Sequence, residues 1–386
     1  MDFSNVLNNT YTLVLLSLLA LSLIVLCLYY GLVWLRVARR GKGGGDGSSS
    51  GGANGKLPSV SVVIFAHNQA DSLRKSLPYL LEQEYDDYEV VVVDYLSQDD
   101  TAYVLRVCTE NYPNIKTYHF REDVNLFQGK KYPLSIGIKL ASKEVILLTE
   151  PDCVPKSFDW IKQMVMNYGR GTEIVIGHTL LRGGKSLLNA LQQYDNMTYN
   201  ASFLASALMG MPYTATGRNL SYRRDFFFRC GGFIRHYPIR SGADDLFVNQ
   251  NARKQNTTIS VNNDAAVLYD AHPDFHHWHF DYSTRRSTYR YHSWRDRLAR
   301  AVYPLAQILF IGSLVWLWVA GLFPWQILVA VLALRLIWEI LCAFFLAKKF
   351  ETKNICWFAP FFELYFLFLN TILTLVTLPK KKQRIR

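Results

Sequence analysis

Hydrophobic positions divide the chain into two kinds of pattern. Leu13 to Leu35, Ala301 to Phe323, Trp325 to Ala347 and Trp357 to Leu378 are almost unbroken apolar runs, each long enough to cross a bilayer as a helix. Between them, from Pro58, short β-branched runs alternate with amphipathic stretches. The pattern predicts strands over Ser59–Phe65, Tyr88–Asp94, Ile115–Phe120 and a run beginning at Val145. Helices are predicted over Asp71–Gln83, Thr101–Glu110 and Tyr132–Ala141. Strands that are apolar throughout and alternate with helices indicate an α/β domain with a mostly parallel sheet covered on both faces.

Two of these strands end in acids. Tyr88–Asp94 closes on Asp94, and Val145-Ile146-Leu147-Leu148-Thr149 runs into Glu150-Pro151-Asp152, where Pro151 stops the strand. Strand ends of this kind meet at the carboxyl edge of a sheet, where open α/β folds bind ligands. Glu150 and Asp152, oxygen donors spaced i, i+2, suit Mg²⁺ or Mn²⁺ shared with the phosphates of a substrate. The same residues also read as an acidic turn closing a strand.

Composition narrows the picture. The chain has 386 residues and a net charge of +11, clustered in Arg36–Lys42, Arg285–Arg300 and Lys380–Arg386. Each cluster adjoins an apolar run, which favours contact with membrane lipids over nucleic acid. The six cysteines are scattered without a Cys-x-x-Cys spacing, so neither a disulfide framework nor a zinc site is indicated. His272, His276, His277 and His279 lack a nearby cysteine, which leaves one of them at most as an extra ligand to a phosphate-bound cation. The first apolar run carries its charge after it, as a retained anchor does, not a cleaved signal.

The expected organisation is an anchor over 1–40, a Gly/Ser linker over 41–57, an α/β domain over 58–300, and membrane or interface helices with a basic tail over 301–386. Lys348-Lys349 and the tail place opposite demands on the last apolar run, which reads either as a span or as a re-entrant segment. Arg335 and Glu339, at i, i+4, are expected to pair within the bundle.

Several motifs resemble family 2 glycosyltransferases with a GT-A fold. They are Pro58-Ser59-Val60-Ser61-Val62-Val63-Ile64, Val93-Asp94 with Ser97, Asp99 and Thr101, Gly129-Lys130-Lys131, and Thr149-Glu150-Pro151-Asp152-Cys153-Val154-Pro155. Thr216-Gly217-Arg218-Asn219-Leu220-Ser221-Tyr222-Arg223 and Ser241-Gly242-Ala243-Asp244-Asp245-Leu246-Phe247 continue the series in the family's order. The resemblance spans about Pro58 to Arg300 and implies sugar transfer, with inversion, from a nucleotide-diphosphate sugar.

On that resemblance, Ala66, Asn68 and Asp94 would contact the base or ribose, and Lys130, Lys131 and Glu150 the diphosphate or ribose. Asp152, with Glu150, would hold Mg²⁺ or Mn²⁺. Gly217, Arg218 and Asn219 would face the acceptor. Asp244, or its neighbour Asp245, would take the acceptor proton, and Arg290 would lie over the diphosphate. Tyr95 stands where the family usually has a second acid, and the literal Gln-x-x-Arg-Trp motif of processive members is missing. The acceptor implied is a lipid-linked sugar or a surface polysaccharide, met by a multi-pass protein at the cytoplasmic face of the inner membrane. Departures at Tyr95, Glu150 and Ala243 leave a catalytically silent scaffold as an alternative. A nucleotidyltransferase would give the membrane segments and Thr216–Arg223 no role.

Overall fold

The computed structural model describes residues 10–40, 57–123, 129–352 and 355–377. The expected linker over Gly41–Lys56 and the basic tail over Lys380–Arg386 lie outside them. The chain forms two compact units, one of residues up to Arg39 with those from Ser293, the other of Arg40–His292.

The second unit is built on a seven-stranded sheet. Its strands are β1 (Val60–Ala66), β2 (Tyr88–Tyr95), β3 (Ile115–Phe120), β4 (Val145–Thr149), β6 (Ile174–Ile176), β8 (Leu220–Arg223) and β9 (Thr257–Ile259), in the order β3-β2-β1-β4-β8-β6-β9. A smaller sheet pairs β5 (Val154–Pro155), β10 (Val267–Tyr269) and β7 (Thr179–Leu181) in the order β5-β10-β7. Strands β3, β2, β1 and β4 are mutually parallel, and β8 runs against both β4 and β6. The expected α/β class with a mostly parallel sheet is therefore observed.

The continuous apolar runs follow from burial on both faces. Val62, Ile64, Val90, Val92 and Leu147 pack with Leu73, Leu77 and Leu105 in one core. On the opposite face the helix Lys131–Leu140 comes close to the sheet at Gly137. A β-carbon there would lie 2.8 Å from Val93 Cγ2 and 2.9 Å from Val63 Cγ1, so only glycine allows the approach. In register, Val60 lies beside Tyr88 and Val145, and Ala66 beside Asp94, so the acidic strand ends reach one edge.

The first unit contains helices Thr10–Ala38, Trp294–Val319 and Trp325–Lys349 and a helical segment Cys356–Thr374, all long and apolar enough to cross a membrane. The second begins seven residues before the apolar run, because Ser293 accepts a hydrogen bond from the Asp296 amide and caps a charged first turn. Arg335 lies 3.6 Å from Glu339, as expected, but makes its shorter contact, 2.8 Å, with Glu363. Tyr30 completes this buried cluster with a 2.7 Å hydrogen bond to Glu363.

Candidate active site

The edge where β1 and β4 end opens on a cavity of about 310 Å³. Phe65, His67 and Gln69 line it from the β1 end, and Thr149, Glu150, Pro151 and Asp152 from the β4 end. Lys130, Gly217, Arg218, Ala243 and Asp244 contribute from three further loops. Glu150, Asp152 and Asp244 thus share one space, although Asp244 is 92 residues beyond Asp152 in the chain.

Two cations sit among these carboxylates. Lys130, the residue just before the helix Lys131–Leu140, places Nζ 2.6 Å from Glu150 Oε1. Arg218 places Nε 3.1 Å from Glu150 Oε2 and an Nη 3.4 Å from Asp152 Oδ2. Its guanidinium rests on the Tyr269 ring, 4.3 Å from the centroid. Burial alone would raise the Glu150 carboxyl and lower the Lys130 ammonium. Their mutual attraction outweighs it, with Arg218 adding to the effect on Glu150, so Glu150 titrates below and Lys130 above the ordinary range.

Asp244 is held by the backbone amide of Gly217, 2.6 Å from Oδ2. Burial pushes its carboxyl above the usual aspartate range. Asp245 and Glu150 push the same way, while Lys130 and the Gly217 amide oppose them. Its neighbour Asp245 is turned inward, accepting from Thr288 Oγ1 at 2.5 Å and facing His292 Nε2 at 3.0 Å. Of the two acids expected as alternatives for the base, Asp244 lines the cavity and Asp245 does not.

Other expected site residues lie apart from the cavity lining. Lys131 is 3% exposed and spends its three ammonium protons on the carbonyls of His236, Ile239 and Ser241, at 2.6, 2.6 and 2.8 Å. Asn219 is fully buried, with Nδ2 on the carbonyls of His178 and Ala265 and Oδ1 taking the Trp160 indole N–H. Asn68, in the left-handed region at φ 54°, ties its amide to Ser97 and its Oδ1 to the Gln98 amide. Ala66, the last residue of β1, is buried. Asp94 is buried too, with Oδ2 2.9 Å from His119 Nδ1 and Oδ1 without a hydrogen-bond partner among the described residues. Arg290 sits in the turn Tyr289–Tyr291 with its guanidinium over the Tyr291 ring.

Sequence reasoning passed over His67, Tyr269 and Asp281. His67 Nδ1 lies 2.6 Å from the Tyr95 carbonyl, joining the ends of β1 and β2. Asp281, on the helix Phe275–Ser287, lies 4.0 Å from Arg218 and 3.4 Å from His272 Nε2. The visible signal was an acid within a stretch otherwise rich in Arg, Tyr and His.

Among the described residues no three His, Cys, Asp or Glu side chains gather as a self-sufficient metal cage. The donor set suits a hard cation of the other kind, carried by one or two carboxylates with water and substrate phosphates completing the shell. Asp152, 37% exposed at the cavity, would be the principal ligand, with Glu150 beside it.

Residues 61–234, which include β1 from its second residue, β4, the acidic turn and the Gly217 loop, match the family model for glycosyl transferase family 2. The chain carries a family 2 glycosyltransferase domain. Its fold is GT-A. It is similar to glycosyltransferase AglE of Haloferax volcanii, with 31% identity over 194 residues, 49% of this chain and 59% of that protein. It is also similar to a poly-beta-1,6-N-acetyl-D-glucosamine synthase of Staphylococcus epidermidis, at 26% identity over 36% of this chain and 33% of the synthase. The chain thus spans less than two thirds of the length of these curated relatives. Among solved structures, the mannosyltransferase PcManGT from Pyrobaculum calidifontis, in complex with GDP-Man and Mn²⁺, shares the fold. The TM-score is 0.56 at 20% identity, covering 88% of this chain and 97% of that one.

Proposed function

We propose that the protein is a membrane-anchored inverting glycosyltransferase that moves a sugar from a nucleotide-diphosphate donor to a lipid-linked sugar or surface polysaccharide at the cytoplasmic face of the inner membrane. The observation that carries this reading is the meeting of Glu150, Asp152 and Asp244 around one cavity with Lys130 and Arg218 between them. In this reading residues 58–300 are catalytic, 41–57 a tether, and 1–40 with 301–386 hold the site at the membrane.

The chemistry asks for two things. A departing nucleoside diphosphate must have its charge neutralised, and the attacking hydroxyl must lose a proton. Lys130 supplies positive charge at the cavity wall and helps receive the diphosphate. Mg²⁺ or Mn²⁺ on Asp152 would contribute further charge neutralisation when bound. Asp244, held by the Gly217 amide, accepts the acceptor proton as the acceptor oxygen bonds to the sugar carbon and the bond to phosphate breaks. Gly217 and Arg218 are the acceptor-side residues that line the cavity. AglE, the N-acetylglucosamine polymer synthase and the GDP-Man-bound mannosyltransferase support sugar transfer as the reaction class.

A second reading, a catalytically silent scaffold, draws support from Glu150, whose two oxygens already face Lys130 and Arg218. Incubating the purified full chain in detergent with Mn²⁺ and a panel of nucleotide sugars separates the two. The enzyme releases nucleoside diphosphate, and Asp244→Asn suppresses the release. A scaffold releases none from any sugar.

A further inference from the structure

Arg218 stands among three carboxylates. Two of them, Glu150 at 3.1 Å and Asp152 at 3.4 Å, are the oxygen donors assigned above to the divalent cation. The third, Asp281, lies 4.0 Å from a different guanidinium nitrogen. Asp281 is about half exposed, and besides Arg218 its side chain has an ion-pair contact with His272. The Tyr269 ring lies against the guanidinium, 4.3 Å from centroid to Cζ, and the cation–π contact does not depend on which carboxylate the guanidinium faces.

A guanidinium and a divalent cation cannot both occupy the space between Glu150 and Asp152, because like charges at these separations repel strongly in a partly buried site. Nor can Arg218 simply be stripped of partners, since an uncompensated cation there would be costly. We infer that Arg218 is an internal counter-ion to Glu150 and Asp152, and that a divalent cation binding these two carboxylates would displace it onto Asp281. The inference rests on the assignment of Asp152 as a metal ligand. It makes cation loading depend on a side-chain exchange. Asp281 acts here as a positioning residue through Arg218, without touching the cation.

The test is Mn²⁺ binding alone, followed by electron paramagnetic resonance on the full chain in detergent without nucleotide. Arg218→Gln should tighten Mn²⁺ binding about tenfold or more. Asp281→Asn should weaken it about threefold while Arg218 is present and leave it unchanged in the Arg218→Gln background, as a double-mutant cycle detects. Unchanged or weaker binding in Arg218→Gln overturns the inference, as does an equal Asp281→Asn effect in both backgrounds. Asp152→Asn keeps the two claims apart. If it abolishes Mn²⁺ binding while Arg218→Gln fails to tighten it, the counter-ion is wrong and the metal assignment stands. If Asp152→Asn changes nothing, both fall.

Discussion

The Gly217 amide donates a 2.6 Å hydrogen bond to Oδ2 of Asp244. That bond ties the loop before β8 to the loop before the helix Asp245–Asn251, and it aims one acid of an adjacent pair into the cavity while the next residue points inward. The two acids should therefore fail differently. Asp244→Asn is expected to lower turnover by about 10² to 10⁴, the usual worth of a general base, with nucleotide-sugar affinity retained. Asp245→Asn is expected to act on stability, about 1–3 kcal/mol, through its buried bonds to Thr288 and His292. Steady-state kinetics and thermal melts of both variants check this.

Gly217→Ala probes the same contact from the other side. An added β-carbon would lie 3.0 Å from Asp244 Oδ2 and 3.4 Å from its Cβ and Cγ, so the carboxylate must move. Turnover should drop between about ten- and a hundredfold, as small displacements of a reacting group do, with little change in donor KM.

Acid should silence the enzyme early. The form of Asp244 that accepts a proton is the carboxylate, and its pKa is raised by burial and by Asp245 and Glu150. Turnover should accordingly fall as pH drops, with an inflection above the ordinary aspartate value of about 3.9. Lys130 holds that pKa down, so Lys130→Met should move the inflection to higher pH. A pH–rate profile of both proteins measures the shift.

Lys131 is predicted to be structural. Lys131→Met leaves three carbonyls of the 236–241 loop without their donor, a loss of about 3 kcal/mol at roughly 1 kcal/mol each. A lowered melting temperature, alongside donor binding that survives below it, is the expected result. Loss of donor binding with an unchanged melting temperature would place Lys131 in the site instead.

The sheet was legible because burial on both faces writes itself as uninterrupted β-branched runs, and β3 runs over the expected Ile115–Phe120. The acidic turn at Glu150 and Asp152 was legible because Pro151 marks where the strand stops. Choices between neighbours were not: Lys130 against Lys131 and Asp244 against Asp245 each straddle the start of a helix, where the helical period does not yet assign a side chain to a face. Asn219 resembles a loop residue in sequence. It is claimed by Trp160, His178 and Ala265, which lie 59, 41 and 46 positions away. Glu363 escaped notice as the closer partner of Arg335 for the same reason, since it arrives on a separate helix.

The central claim is that Asp152 and its neighbours bind the diphosphate of a nucleotide sugar. Calorimetric titration of the full chain with UDP- and GDP-sugars, with and without Mn²⁺, tests it most directly. The account predicts saturable binding of at least one donor that strengthens with Mn²⁺ and loses that strengthening in Asp152→Asn. Binding that ignores both Mn²⁺ and Asp152, or no binding to any donor, would contradict it.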